Sequence, residues 1–246
     1  MLRHLPLLEQ LLLGGKEPED GFGPNIVTGN RITELGAIFG HNEQLQVIDF
    51  SQNQLQKIDP TTFAGLKKLR WLSLGLNKLT SIPAGTLQGL AELQQLNLEY
   101  NKLTTIPAGT FQGLGQLQTL YLCGNYLTTI PAGTFQGLEQ LQKLDLHDNK
   151  LTTVPAEIFR GLEQLQELYL EYNELTTIPA GAFQGLGELR ELDLNVNKLT
   201  TIPAGTFQGL GQLQTLRLYG NKLTTIPAGT VQGLVNCRNS TWGTTS

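Results

Sequence analysis

The sequence has few charged residues, only two cysteines and no long apolar run. Charged residues make up 15% of the 246 residues and the net charge is −4, so no basic face for non-specific nucleic-acid binding is expected. No apolar run approaches the roughly 20 residues that a membrane-spanning helix needs. Cys123 and Cys237 are too few for a disulfide framework and are not spaced like paired metal ligands. We therefore predict no nucleic-acid partner, no membrane span and no cofactor.

The abundant residues form a repeat. The chain contains 28 glycines and 11 prolines among many leucines, glutamines and threonines. Around each repeated asparagine the chain reads Leu-x-x-Leu-x-Leu-x-x-Asn-x-Leu, as in residues 93–103, which is the leucine-rich-repeat pattern. The asparagines, 24 residues apart after a first step of 23, are Asn30, Asn53, Asn77, Asn101, Asn125, Asn149, Asn173, Asn197 and Asn221.

This pattern predicts an α/β leucine-rich-repeat solenoid shaped like a horseshoe. Leucines that alternate with polar residues predict a short strand, and stacked strands form a concave parallel sheet. The asparagine side chain can donate and accept, so it can satisfy backbone groups of neighbouring turns. Proline and glycine in the return half, as at Pro107, Gly109 and Gly113, predict convex loops and short 3₁₀ segments.

The ends need caps because a solenoid otherwise exposes its core. We predict an N-terminal capping segment over 1–21, a solenoid of nine repeats with an irregular first over 22–234, and a truncated C-terminal cap or tail over 235–246. Leucines at helical spacing predict a capping helix over residues 1–13, with a targeting remnant as the alternative. Cys237 near an exposed core edge suggests a homodimer through the C-terminal end.

Four columns of positions vary between the copies while the rest of the repeat is nearly constant. The first to fourth columns lie six, four, two and one residues before each asparagine, and we expect them to face outward from the sheet. They hold five of the six tyrosines, eight of the 21 acidic residues and two basic residues, so their net charge is −8 + 2 = −6. The candidate ligand-binding residues are Trp71, Glu99, Tyr100, Tyr121, Asp145, Asp148, Glu167, Tyr169, Glu171, Tyr172, Glu191, Asp193, Arg217 and Tyr219.

Two interpretations of these columns compete. Exposed positions can drift, and tyrosine is a good strand residue. Drift favours small and polar residues, however, whereas tyrosine among scattered polar residues is typical of binding surfaces. Glu167 and Glu191 fall on adjacent strands, and Lys143 relieves only part of their repulsion. Because a positive partner would relieve the rest, we expect a ligand with cationic groups.

The third column raises the question of an enzyme or a metal site. Glu99, Cys123, His147 and Glu171 fall on four successive strands, so Cys123 and His147 could approach each other. A flat ladder offers no pocket that excludes water, and ligands in a line cannot easily surround one ion tetrahedrally. We therefore predict neither catalysis nor a metal site.

The phrase Leu-Thr-x-Ile-Pro-Ala-Gly-x-Phe, repeated every 24 residues with variable strand positions between, resembles the variable lymphocyte receptors of jawless vertebrates and their chordate relatives. The resemblance covers about residues 45–234. It implies a secreted or surface-anchored immune receptor that binds protein or carbohydrate antigens on its concave sheet. The family closes both ends with disulfide-bonded caps, whereas here the N-terminal segment has no cysteine and the C-terminal one has only Cys237. The antigen-contacting insert of the family's C-terminal cap is also missing.

Together these features predict a non-enzymatic receptor for a protein or carbohydrate antigen, such as a bacterial surface with cationic groups. The alternative is an adhesive or structural protein, or an engineered binding scaffold, that uses the same face for one fixed protein partner. We expect an extracellular location, although no signal sequence is evident. The glycosylation sequon at residues 239–241, expected on a flexible tail, agrees with that location.

Overall fold

The computed structural model describes residues 10–12, 30–39, 42–232, 234, 236, 237 and 239–241. They contain twelve short strands and no α-helix. The strands are β1 Gln10–Leu12, β2 Glu34–Leu35, β3 Val47–Asp49, β4 Lys57–Ile58, β5 Trp71–Ser73, β6 Gln95–Asn97, β7 Thr119–Tyr121, β8 Lys143–Asp145, β9 Glu167–Tyr169, β10 Glu191–Asp193, β11 Thr215–Arg217 and β12 Asn239–Thr241. The predicted leucine-rich-repeat solenoid is confirmed.

Ten of these strands form one parallel sheet, and β2 and β4 form a second, two-stranded one. Each strand of the large sheet pairs with the strand of the next repeat, so equivalent residues lie side by side, as Leu144 does beside Leu168. These central leucines are fully buried because alternation turns them away from the outward columns. The hydrogen-bond ladder continues beyond the strands, for example from the Leu74 N–H to the Asn97 carbonyl at 2.8 Å.

The repeated asparagines connect neighbouring repeats, as the sequence predicts. The Asn77 amide nitrogen donates to the carbonyls of Phe50, Leu74 and Gly75 at 2.9–3.0 Å. Its side-chain oxygen accepts the N–H of Leu55 at 2.9 Å. The same pattern recurs along the solenoid, so each buried asparagine satisfies backbone groups that a turn would otherwise leave without partners.

The convex side consists of turns and stacked aromatic rings. Its backbone bonds run from residue i to i+3, as from the Gln88 N–H to the Gly85 carbonyl. Five phenylalanines, one per repeat from Phe111 to Phe207, stack with centroids 6.0–6.5 Å apart. Because paired strands lie only about 4.8 Å apart, this side of the stack is longer than the sheet side. The solenoid therefore bends with the sheet on its inner face.

The structure corrects the expectations for both ends. Gln10–Leu12 form a strand that pairs with β3, so the predicted capping helix is wrong for these residues, and the rest of 1–13 lies outside the described residues. Residues 239–241 form β12, which pairs with β11, instead of a flexible tail. Cys237 is half-buried against the core, and its predicted role in a homodimer stays a prediction. The domain boundaries at 21/22 and 234/235 also stay predictions.

Within the described residues, no helix has the length and apolar character of a membrane span.

Candidate functional site

The four variable columns lie side by side along the concave sheet. The first and second columns are the outer residues of the strands, and pairing puts Glu167 beside Glu191 and places Asp145 and Asp193 on either side of Tyr169. The third and fourth columns follow each strand into its turn. The surface therefore collects side chains from repeats that are distant in sequence.

Lys143 is the cation at the centre of this surface. Its ammonium group binds Glu167 at 2.9 Å and lies 5.0 Å and 5.7 Å from the ring centroids of Tyr169 and Tyr121. The Tyr169 hydroxyl donates to the same Glu167 carboxylate at 3.1 Å. Burial opposes the charge of Lys143, but the hydrogen bond and charge of Glu167 outweigh it and raise the lysine pKa. Burial and the Glu167 charge together raise the pKa of Tyr169, which stays a neutral hydroxyl.

Arg217 neutralises the neighbouring acidic pair. Its guanidinium group binds Glu191 and lies 3.2 Å from Asp193. The hydrogen bond to Glu191 is the main cause of the raised pKa of Arg217. Lys143 and Arg217 thus both relieve the repulsion between Glu167 and Glu191, so less of it remains than the sequence predicts from Lys143 alone.

Asp145 and Asp193 are only 8% and 7% exposed. Asp193 accepts the Asn195 N–H at 2.9 Å, and Asp145 accepts the His147 N–H at 3.1 Å. Burial raises the pKa of Asp193 in spite of its bonds to Asn195 and Arg217. These two carboxylates, expected on the open surface, lie beneath their neighbours.

Cys123, Asp145 and His147 form a compact cluster. The His147 Nδ1 lies 2.7 Å from the Asp145 Oδ1, and this hydrogen bond is the main cause of the raised pKa of His147. Cys123 is buried, its sulfur lies 3.8 Å from the Glu99 Oε2, and burial raises its pKa. One ligand atom from each of the three residues lies within 4.8 Å of the others.

Glu171 is half-buried beside this cluster in the third column. Burial, followed by the charges of Asp193 and Asp145, raises its pKa to about 7 against the lowering effect of a backbone hydrogen bond and His147. Its Oε2 atom is buried and makes no hydrogen bond among the described residues.

The fourth column has an unusual backbone that the sequence analysis missed. All eight of its residues have positive φ, including Tyr100 at 48°, Tyr172 at 53° and the β-branched Val196 at 49°. Gly124 and Gly220 adopt this conformation without a steric penalty because glycine has no Cβ atom. These two glycines were the sequence feature from which a left-handed turn in the fourth column could have been predicted. This conformation leaves Tyr100 and Tyr172 44% and 57% exposed.

The predicted residues thus fall into three groups. Strands β7 to β11 bring Tyr121, Asp145, Glu167, Tyr169, Glu191, Asp193 and Arg217 together. The turns after the strands carry Glu99, Tyr100, Asp148, Glu171, Tyr172 and Tyr219. Trp71, on β5, lies two strands away from β7 and outside the ion-pair network of the described residues. Lys143 and His147 belong to the surface and Cys123 lies buried beneath it, although the candidate set omits all three.

Comparisons with known proteins identify the repeat. A sequence model described as leucine rich repeat matches residues 26–79, 43–103, 69–127, 92–151, 115–175, 139–199 and 187–239. No curated protein matches this chain significantly. The matches identify the repeat and carry no support specific to variable lymphocyte receptors.

Two solved structures show the same architecture. A chain of the Toll–Spatzle complex, a molecular hub in Drosophila development and innate immunity, is 28% identical with a TM-score of 0.79, over 86% of this chain and 28% of that one. A leucine-rich-repeat protein of Leptospira interrogans is 30% identical with a TM-score of 0.72, over 87% of this chain and 59% of that one. The chain therefore spans less than two thirds of either relative.

Proposed function

Because the chain belongs to the leucine-rich-repeat family, we propose that it is a recognition protein that binds an antigen through the four columns of its concave sheet. Proteins of this family are in general non-enzymatic scaffolds for protein interaction. One observation carries the proposal: variable, tyrosine-rich and acidic side chains share one surface, while the residues that build the core repeat almost unchanged. Such a division is expected when contact with a partner selects one set of residues and stability selects the other.

The exposed tyrosines are the proposed contacts. Tyr100, Tyr172 and Tyr219 are each at least 44% exposed, so they have area to bury against a partner. Tyrosine loses little conformational entropy on binding and is enriched among residues that dominate interface energies. The ion pairs around Lys143 and Arg217 hold the floor of the surface in place, which lowers the cost of ordering it on binding.

The charge of the surface indicates the class of partner. Internal ion pairs do not change the formal sum of −6 over the columns, and the sum stays negative although Glu171, with a pKa of about 7, is only partly charged near neutral pH. The surface therefore attracts positive groups. We expect a basic protein or a carbohydrate antigen with cationic groups, such as amino sugars on a bacterial surface. The partner protein in the Toll–Spatzle complex and the resemblance to variable lymphocyte receptors both favour this role. It implies an extracellular location for this chain as well.

The test is a binding screen followed by matched variants. The purified chain is screened on an array of bacterial-surface glycans and on a panel of purified basic proteins, and the affinity of each binder is then measured. Tyr172→Ala combined with Tyr219→Ala should weaken binding by about 30-fold, which corresponds to about 2 kcal/mol. Tyr126→Ala is the control, because Tyr126 is 46% exposed but lies outside the columns.

A second pair of variants tests the charge. Glu167→Ala combined with Glu191→Ala should weaken binding of a basic probe and reduce its dependence on salt. The control pair, Glu163→Ala with Glu188→Ala, removes two exposed carboxylates outside the columns. No binder on either panel, or a binder whose affinity responds equally to both sets of variants, would contradict the proposal.

A further inference from the structure

Cys123 and His147 occupy the third column on neighbouring repeats, two residues beyond β7 and β8. Ligands from the third column alone would lie in a line, and a line of ligands cannot easily surround one ion. Asp145, in the second column, lies off that line and closes a triangle of sulfur, nitrogen and oxygen atoms within 4.8 Å of one another. Tertiary structure thus supplies the third ligand that the column alone lacked.

We propose that Cys123, Asp145 and His147 bind one divalent ion of the zinc class on the concave surface. Zinc takes thiolate, imidazole and carboxylate ligands at about 2.0–2.3 Å in a tetrahedron, so its ligand atoms lie roughly 3.3–3.6 Å apart. The Asp145–His147 pair, now 2.7 Å apart, opens slightly to admit the ion, and the Cys123 sulfur, within 4.8 Å of the other two ligand atoms, moves inward by about 1.2 Å at most. Rotation of the half-buried His147 side chain and small side-chain shifts of the buried Cys123 and Asp145 supply these movements.

The ion replaces two protons. One is the proton between the His147 Nδ1 and the Asp145 carboxylate, which leaves to solvent while the ring keeps, or if neutral regains from solvent, a proton at Nε2. The other is the Cys123 thiol proton, which leaves to solvent when the sulfur binds as thiolate. The positive ion is compatible with the site because Asp145 and Glu99 bring negative charge to it.

The fourth position has a candidate ligand on the neighbouring repeat. The Glu99 Oε2 lies 3.8 Å from the Cys123 sulfur, which is close to the separation of two ligands on one tetrahedral ion. Glu99 is not one of the three residues whose ligand atoms all lie within 4.8 Å of one another, so it takes the fourth position only by rotating toward Asp145 and His147, and a water molecule is the other candidate. The mixed sulfur, nitrogen and oxygen set favours zinc or cobalt over calcium and magnesium, which take oxygen ligands alone.

The experiment is a titration of the tag-free chain, freed of metal by a chelator, with Co²⁺ as the spectroscopic probe. We expect one equivalent to produce the visible bands of tetrahedral cobalt and a near-ultraviolet thiolate-to-cobalt band, and Zn²⁺ to abolish both. Cys123→Ser should remove the thiolate band, and His147→Gln should weaken binding at least tenfold. Cys237→Ser, which removes the other thiol, should leave the titration unchanged.

Circular dichroism keeps the result interpretable if the buried Cys123 variant folds poorly. His147 is only half-buried on the surface, so His147→Gln should retain the native spectrum and thermal transition. A wild-type titration without the thiolate band would overturn the proposal. So would cobalt binding of equal strength in His147→Gln, because the ion would then occupy some other site.

Discussion

At the scale of single residues, the fourth column combines backbone strain with exposure. Its non-glycine members adopt left-handed conformations that L-residues usually avoid, at a cost of about 1–3 kcal/mol each. The solenoid tolerates this cost because each of these turns continues the ladder, as when the Tyr100 N–H donates to the Cys123 carbonyl at 2.8 Å. The strained turn is what lifts Tyr100 and Tyr172 out of the sheet plane.

Gly124 makes room for one of these tyrosines. A Cβ atom at Gly124 would lie 2.3 Å from the Tyr100 Cδ1, which no packed structure allows. We predict that Gly124→Ala lowers the free energy of unfolding by about 2–4 kcal/mol, the sum of left-handed strain and overpacking. Urea denaturation measures this change.

Two companion variants separate the causes. Gly113→Ala has positive φ and open space around its Cβ, so it should cost only the strain, about 1–2 kcal/mol. Adding Tyr100→Ala to Gly124→Ala should recover part of the lost stability. Equal losses for the two glycine variants would show that the tyrosine ring contributes nothing.

Glu171 gives the stability of the chain a dependence on pH. Its pKa of about 7 in the folded state exceeds the ordinary value of 4.5, so the folded chain binds this proton more tightly than the unfolded chain. The neighbouring charged groups that shift the pKa of Glu171 are Asp193, Asp145 and His147. The burial penalty is absent below pH 4.5, develops as the pH rises to about 7 and is complete above that value.

We predict that Glu171→Gln raises the free energy of unfolding by about 1–2 kcal/mol at pH 8 and changes it little at pH 4. Urea denaturation of both proteins at the two pH values, with a chelator present, is the measurement. The exposed Glu163→Gln is the control and should behave like the wild type at both. If Glu171→Gln raised the free energy of unfolding as much at pH 4 as at pH 8, the raised pKa of Glu171 would be contradicted.

At the scale of the repeat, the asparagine ladder is the main polar element of the core. Asn149 donates to the carbonyls of Leu122, Leu146 and His147 at 3.0–3.2 Å and accepts the Leu127 N–H at 3.0 Å. It is only 6% exposed, so water cannot easily replace these bonds. One side chain therefore joins two repeats and closes its own turn.

We predict that Asn149→Ala lowers the free energy of unfolding by about 2–4 kcal/mol, because it leaves several buried backbone groups without partners. Denaturation by urea measures the loss. Gln136→Ala, an exposed amide on the neighbouring repeat's convex turn, is the control and should change stability by less than about 0.5 kcal/mol. A loss for Asn149→Ala as small as the control's would show that water replaces the ladder bonds.

At the scale of the whole molecule, two unequal spacings produce the curved surface that carries the four columns. Phenylalanine rings 6.0–6.5 Å apart on one side, and strands about 4.8 Å apart on the other, bend the stack toward the sheet. The bend turns the four columns toward a common centre, so a single partner can contact several repeats at once. Each repeat contributes only a few side chains, and the surface exists because the repeats stack.

The repeat spacing alone predicted most of the architecture. The 24-residue period, the alternating leucines and the buried asparagines are local features, and each dictates the same conformation wherever it recurs. The placement of Tyr169 between Asp145 and Asp193 was predictable for the same reason, since a constant period keeps columns in register. The ends lack the period, so leucine spacing over residues 1–13 predicted a helix where the described part is β1.

Packing between repeats decided the chemistry of the surface. Arg217 bonds diagonally to Glu191 on the neighbouring strand, and Asp145 joins Cys123 and His147 from a different column. The left-handed turns of the fourth column follow from closing each repeat onto the next. The repeat period predicts which residues are equivalent. It does not predict which neighbour a long side chain bonds to diagonally, because that depends on distances that are fixed only when the repeats stack.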